Sequence, residues 1–396
     1  MITEEELRHR VGRLSLEQKV RLLTGADFWA LYAEPDAGLR RVVTSDGPAG
    51  VRGESWDERD SSANVPSATA LAASWDPGRV ETVGALLARE ARRKGVDVLL
   101  APTVNLHRTP FGGRHFECFS EDPLLTARIG VAYVRGLQNS GVGATVKHFI
   151  GNDSETERMT VDVRIDERTL RELYLAPFEA ILRPTGRGEA GAWSVMAAYN
   201  GVNGPTMTES PLLRDILHDE WGYDGLVMSD WTAARSTEPA ARAALDLAMP
   251  GPASRFGPWG DALAEAVQDG RVDEAFIDDK VLRILRLAAR VGGLTDVPAP
   301  PAPAAVDISG ELRGDLYRQG REIARFWTGD ATGFRPNLPF TWGGQPCSVT
   351  CDSPLLNSLI YFNDINSGLW ITKLGEPKFE GSTSAPAVRK GERTIH

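Results

Sequence analysis

A chain of 396 residues has room for one barrel-sized domain and something smaller, and 42% hydrophobic with 25% charged residues is the composition of a folded globular protein. A formal net charge of −10 excludes a nucleic-acid binder, because no basic stripe exists to neutralise phosphates. Three cysteines (Cys118, Cys347, Cys351) cannot build a disulfide framework, and no Cys/His spacing suits a zinc ion. The acidic segment Met1–Ile2–Thr3–Glu4–Glu5–Glu6 lacks the apolar core of a signal peptide, and no apolar run reaches membrane-spanning length. The expectation is therefore a cytoplasmic protein with no membrane partner.

Helix and strand signals then alternate to about residue 295. Ser15 to Gln18 forms a capping box for a helix that stops at Gly25. Arg41 to Asp46 reads as a strand running into a Gly/Pro turn. Asp76–Pro77 starts a helix with Val80, Val83, Leu86 and Leu87 on one face, ended by Gly95. Val96 to Leu100 is a buried strand followed by a long polar loop, and Gly143 to Phe149 is another. Asp166 caps a helix carrying Leu170, Leu173, Tyr174, Phe178 and Ile181, kinked at Pro177. Trp193 to Tyr199 makes a fourth strand. Ser210 and Pro211 then open a helix with Leu212, Leu213, Ile216 and Leu217 on one face, stopped by Gly222. Leu226–Val227–Met228–Ser229 is an unalternating apolar strand that ends on Asp230 and Trp231. Ala244 to Pro250 is a sixth strand, and Val281, Ile284, Leu285 and Ala288 mark a final helix.

Strands alternating with helices predict right-handed βαβ units and a parallel sheet, closed as a (β/α)8-type TIM barrel. Six strands are legible where a full barrel needs eight, which makes it irregular. The barrel domain is assigned to 1–295. Val297 to Pro303 opens a semi-rigid Pro/Ala linker, 296–310. The tail, 311–396, changes character: the first 310 residues hold four lysines (Lys19, Lys94, Lys147, Lys280) and the last 86 hold three. A helix is expected at Leu312 to Arg325, and past Thr328 no periodicity is sustained.

Nearly every strand end carries a polar group suited to a sugar. Asp46 ends the first strand, Lys147 and His148 lie at the end of the third, Tyr199–Asn200 follows the fourth and Asp230–Trp231 the fifth; Arg114 lies in the loop after Leu100. Charged groups near a barrel interior belong at the rim, paired and hydrogen-bonded. Asp46 with Arg52 or Lys147 would hold hydroxyls through charge-assisted bonds, and Asp230 among cations would stay ionised as a nucleophile. Plainer roles compete. Asp230 caps the next helix, Lys147 and His148 are a rim ion pair and a core histidine, Arg114 anchors its loop to Glu117 or Glu121, and Met196, Tyr199 and Trp231 pack the core.

Taken in order, Ser45–Asp46–Gly47–Pro48, Gly113–Arg114–His115–Phe116–Glu117 with Ser120–Glu121–Asp122–Pro123, Lys147–His148–Phe149 and Met228–Ser229–Asp230–Trp231 resemble a known set. Over residues 12 to 295 the chain is similar to the N-terminal catalytic domain of glycoside hydrolase family 3 β-glucosidases. The resemblance implies a retaining exo-β-glucosidase acting on an oligosaccharide or an aryl or alkyl β-glycoside, without metal or organic cofactor. Asp230 would be the nucleophile. Asp46, Arg52, Arg114, Lys147 and His148 would grip hydroxyls, and Met196, Tyr199 and Trp231 would shape the pocket. Asn152–Asp153–Ser154–Glu155 departs from the Gly-His-Gly loop of the family's N-acetylglucosaminidases and favours the glucosidase branch. Family β-glucosidases take their acid/base glutamate from a sandwich domain after the barrel. The sequence past the linker does not resemble that domain, although it holds Glu322, Glu376 and Glu380. Two alternatives stand beside this reading: a truncated or chimeric sugar-binding remnant without the acid/base, and a barrel enzyme forming a Schiff base at Lys147.

Overall fold

The computed structural model describes residues 2–55, 60, 62–183, 191–298 and three strands at 347–348, 359–364 and 368–373. The chain divides into two compact units, Met1–Trp56 with Ala68–Ala304, and Asp57–Ser67 with Ala305–His396. Of the second unit, the antiparallel strands Cys347–Ser348, Leu359–Asp364 and Gly368–Lys373 are described; the central strand Leu359–Asp364 pairs with Gly368–Lys373 in the register Tyr361↔Ile371. The sequence reading missed these strands. The helix expected at Leu312 to Arg325, most of the linker and the carboxylates Glu322, Glu376 and Glu380 lie outside the described residues.

In the first unit the strands are β1 (Ala30–Leu31), β2 (Val42–Ser45), β3 (Val98–Leu99), β4 (Gly143–Phe149), β5 (Asp162–Val163), β6 (Ser194–Ala197), β7 (Gly201–Val202) and β8 (Leu226–Ser229). Six of them form one sheet in the order β1-β2-β3-β4-β6-β8, antiparallel at β1–β2 and parallel elsewhere. Every residue of β2, β4, β6 and β8 is buried, which is why these runs show no polar alternation. The small pair β5–β7 stands apart from this sheet.

Two bridging segments close the sheet into a ring. Leu247 pairs with Met228 and Ala248 with Thr24, both in parallel, and Gly25 pairs with Leu31 in the antiparallel sense. Ser229 N–H donates to Leu247 O at 2.9 Å, Ala248 N–H to Leu23 O at 2.9 Å, and Gly25 N–H to Ala248 O at 3.2 Å. The sixth predicted strand is thus reduced to a short bridge, and the helix expected to reach Gly25 stops at Leu22 so that Leu23 to Gly25 can enter the ring. A side chain is excluded at Gly25 and at Gly251. A Cβ on Gly251 would lie 1.5 Å from Gly25 O, and one on Gly25 would lie 2.5 Å from Gly251 N.

Helices cover the outside. Pro77–Arg93 is capped by Asp76, and Pro123–Asn139, capped by Asp122, packs against it. Glu274–Arg290 packs against the N-terminal helices Glu4–Gly12 and Leu16–Leu22, the latter opened by the expected Ser15–Gln18 capping box. Lys19 pairs with Glu274 and Asp278 at 2.8 and 2.6 Å, and Arg10 with Asp296 at 2.6 Å. Two predicted helices contain π-helical turns, Leu170–Tyr174 and Leu213–Glu220. Proline cannot donate to a carbonyl one turn back and its ring crowds that carbonyl, and a widened π-helical turn stands just before Pro177. Leu173, read from its spacing together with Leu170 and Phe178, is exposed. Among the described residues no helix is long and apolar enough to cross a membrane.

Candidate active site

Parallel strands of one ring all end on the same rim, so residues far apart in sequence meet there. Asp46 follows β2, Lys147 and His148 lie near the end of β4, Tyr199 stands just past β6, and Asp230 follows β8. Lys147 Nζ donates to Asp46 Oδ1 at 3.0 Å with both side chains buried. His148 Nε2 lies 3.5 Å from Asp230 Oδ2. The Trp231 backbone N–H donates to Asp230 Oδ1 at 2.7 Å, and the Tyr199 hydroxyl donates to Trp231 O at 2.8 Å. Trp231 is held against Trp29, with ring centroids 5.4 Å apart, and its indole N–H donates to Phe28 O at 3.0 Å.

Arg52 and Arg114 approach from loops. The Arg52 guanidinium lies 5.4 Å over the Trp29 ring. Arg114 makes a two-pronged bond to Glu117, at 2.9 and 2.8 Å, so its loop-anchoring role is real. Its charge nevertheless reaches both Asp46 and Asp230. Met196 occupies a fully buried core position within β6, beside Met228 of β8.

The two aspartates are tuned in opposite directions. Burial pushes the Asp46 carboxyl up, but Lys147, Arg52 and Arg114 together outweigh it and hold its pKa below the ordinary value. At Asp230 burial wins over Arg114, Lys147, the Trp231 N–H and Arg158, so its pKa lies above the ordinary aspartate value. Cations alone, the basis of the sequence expectation, were only part of that balance. Burial, with Arg114, Lys147 and Arg158 adding to it, holds His148 well below the usual imidazole range, and the ring is neutral at pH 7. Burial and the Asp230 charge together push the Tyr199 phenol up.

Two residues of the cluster escaped the sequence reading. Arg158 stacks 4.9 Å over the Tyr199 ring and pairs with Glu155 at 3.2 Å; Glu155 also faces Arg114 at 3.9 Å. Both lie in the irregular stretch after β4, where no periodicity marks them. The loop's Arg-after-Glu spacing was the available signal. A Schiff-base lysine requires an apolar pocket, and Lys147 instead sits against a buried carboxylate, which disposes of that alternative. Among the described residues no group of His, Cys, Asp or Glu is arranged to hold a metal ion.

The arrangement presents one carboxylate at the centre of a rim, with donors, an acceptor and an indole around it. Such a set can hold a polyhydroxylated ring and attack an electrophilic carbon on it.

The sequence profile described as Glycosyl hydrolase family 3 N terminal domain matches residues 30–287. A β-glucosidase of Rhizobium radiobacter is 46% identical over 319 residues, covering 79% of this chain and 37% of that protein. Beta-glucosidase B of Emericella nidulans is 44% identical over 295 residues, 74% of this chain and 34% of its own length. Among solved structures, β-glucosidase 3B of Thermotoga neapolitana in complex with glucose superimposes with a TM-score of 0.69 at 34% identity, over 74% of this chain and 44% of that one. The chain thus spans little more than a third of the length of these curated relatives. A TIM-barrel-like α/β ring with this rim, matched by that profile over most of its length, belongs to glycosyl hydrolase family 3.

Proposed function

We propose that this chain carries the nucleophile-bearing domain of a retaining exo-β-glucosidase. The observation that carries the reading is the placement of Asp230 at a strand end, 3.5 Å from His148 and backed by Trp231, on the same rim as the Asp46–Lys147 pair. The relatives named as β-glucosidases, one of them holding glucose, favour a terminal β-glucosyl residue as substrate. Asp230 attacks the anomeric carbon, the bond to the leaving oxygen breaks, and that oxygen takes a proton from a general acid. Water, giving a proton to that same group now acting as base, then displaces Asp230 from the glycosyl ester, and glucose leaves with its configuration retained. Asp46, Lys147, Arg114 and Arg158 orient the hydroxyls through charge-assisted hydrogen bonds. The general acid must stand about 5–5.5 Å from Asp230. Glu155 feels the Asp230 charge but is already engaged by Arg158, so it is not assigned that role.

Hydrolysis of 2,4-dinitrophenyl β-glucoside, whose leaving group needs no proton, is compared with that of cellobiose, whose leaving group does. Turnover of both, lost at least a thousandfold in Asp230→Asn, is the expected result for a complete glycosidase. General-acid help is worth about 10²–10⁴-fold. Dinitrophenol release alone would mean a working nucleophile without its acid, and no release from either would reduce the chain to a sugar-binding remnant.

A further inference from the structure

Asn105 lies in the loop after β3 and is buried, 43 residues in sequence from His148. Both polar ends of its amide are fixed by the backbone of that one residue. The His148 N–H donates to Asn105 Oδ1 at 2.9 Å, and Asn105 Nδ2 donates to His148 O at 3.0 Å. Turning the amide over would set donor against donor and acceptor against acceptor, so its orientation is determined rather than chosen. The same Oδ1 lies 3.2 Å from His148 Nδ1. An amide oxygen only accepts, so the hydrogen in this contact belongs to Nδ1. The ring is neutral, and its other nitrogen is left with a lone pair directed at the site. That nitrogen, Nε2, stands 3.5 Å from Asp230 Oδ2, beyond ordinary hydrogen-bond length.

We propose that Asn105 is a positioning residue that fixes His148 as the Nδ1–H tautomer, so that Nε2 accepts a hydrogen bond from a hydroxyl of the sugar held beside Asp230. The second half of this inference rests on the glycosidase reading above. The competing tautomer would place the ring hydrogen on Nε2, toward the Asp230 carboxylate. It would also leave the Nδ1 lone pair against Asn105 Oδ1, in a buried contact that an amide anchored at both ends cannot turn to relieve. On the site side Nε2 and the Asp230 carboxylate are two acceptors 3.5 Å apart in the free protein, and an entering hydroxyl that donates to Nε2 relieves that contact. His148 is then a sensor of a hydroxyl's hydrogen, whereas Lys147 and the arginines sense hydroxyl oxygens.

The test uses the full chain labelled with 15N-histidine. His148 is one of six histidines and is identified by the resonances lost in His148→Asn. The wild-type spectrum should show a pyrrole-type Nδ1 and a pyridine-type Nε2. Asn105→Asp, which keeps the acceptor for Nδ1–H but loses the donor to His148 O, should keep that pattern, and Asn105→Leu should lose it. In kinetics, aryl β-glucosides with single hydroxyls replaced by hydrogen or fluorine locate the contact. At one position fluorine, which accepts but cannot donate, should cost as much as hydrogen, and that penalty should shrink in Asn105→Leu. The Leu variant should lose roughly ten- to a hundredfold in kcat/KM through misplacement of the ring, with Asn105→Asp, which forfeits only the bond to His148 O, losing less. A pyridine-type Nδ1 in the wild type overturns the inference, and needs no variant to fold. An Nδ1–H spectrum without glucoside turnover would strike the glycosidase reading alone. Turnover with an Nε2–H spectrum would strike this inference alone.

Discussion

Four aspartates define the two ends of the ring, and their partners tell them apart. Asp97 and Asp246 sit at the N-terminal end of the strands and are tied to the backbone. Asp97 accepts from Val43 N–H at 2.9 Å and pairs with Arg40 at 2.7 Å; Asp246 accepts from Val227 N–H at 2.9 Å and from Arg283 at 3.0 Å. Asp46 and Asp230 sit at the other end, where Asp46 accepts from the Lys147 side chain and Asp230 accepts from the adjacent Trp231 N–H with His148 beside it, so neither ties the backbone of one strand to another. The first pair holds strands in place, and the second is available to a ligand. Asp46, Lys147, His148 and Asp230 were legible in the sequence because each terminates an apolar run. Asn105 and Arg158 were not, since neither terminates a strand and their partners are distant in sequence. A further residue in the same loop region carries a measurable cost. Burial, only partly offset by the Tyr174 hydroxyl and the Leu106 N–H, pushes the Asp153 carboxyl up to about 6. A raised folded-state pKa means the native protein binds this proton more tightly than the unfolded chain. Stability from this group is therefore greatest below the unfolded value near 4 and is lost as pH rises through about 6. Asp153→Asn should stabilise the protein at pH 7 by up to about 3 kcal/mol, with a smaller gain at pH 5. Thermal melts at the two pH values check this, and a gain independent of pH would contradict it.

Among the elements, the buried parallel strands of the ring were the most legible, because burial on both faces writes itself as continuous apolar runs; the two-residue strands β1, β5 and β7 show no such run and were not predicted. Caps were equally plain at Ser15, Asp76 and Asp166. What the sequence did not reveal was how closely helices approach. Pro77–Arg93 and Pro123–Asn139 touch backbone to backbone: a Cβ on Gly136 would lie 2.1 Å from Glu81 O, and one on Gly84 would lie 2.5 Å from Tyr133 O. Glycine in a helix interior reads as a weak helix residue, and only the neighbouring helix shows its purpose. Gly136→Ala should destabilise by roughly 1–3 kcal/mol through overpacking against a carbonyl that cannot move aside. Gly12→Ala, with nothing within 4 Å, should change little or stabilise slightly. Chemical denaturation of the two variants distinguishes them, and equal midpoints would refute the close-contact account.

At the scale of the whole molecule, the irregular ring expected from six strands is closed by two short segments. Leu247–Ala248 is what remains of the sixth predicted strand, whereas Leu23 to Gly25 is legible only after closure, since so short a bridge has no periodicity to read. The family profile begins at residue 30 and so omits one side of the seam. A fragment of residues 30–287 should therefore fail to fold cooperatively, whereas one spanning 2–298 should melt in a single transition. Circular dichroism and calorimetry check both, and cooperative melting of the shorter fragment would show that the seam is dispensable.

That seam also sets a timetable for the nascent chain. Thr24 must wait for Ala248, and at synthesis rates of about 5–20 residues per second the interval is roughly 10 to 45 s. Throughout it, the first strands stand beside the ribosome with one edge unpaired, long after the helices behind them have left the exit tunnel. A cell that makes this protein has to protect that edge, so chaperone supply and translation speed, rather than the stability of the finished barrel, should govern its yield.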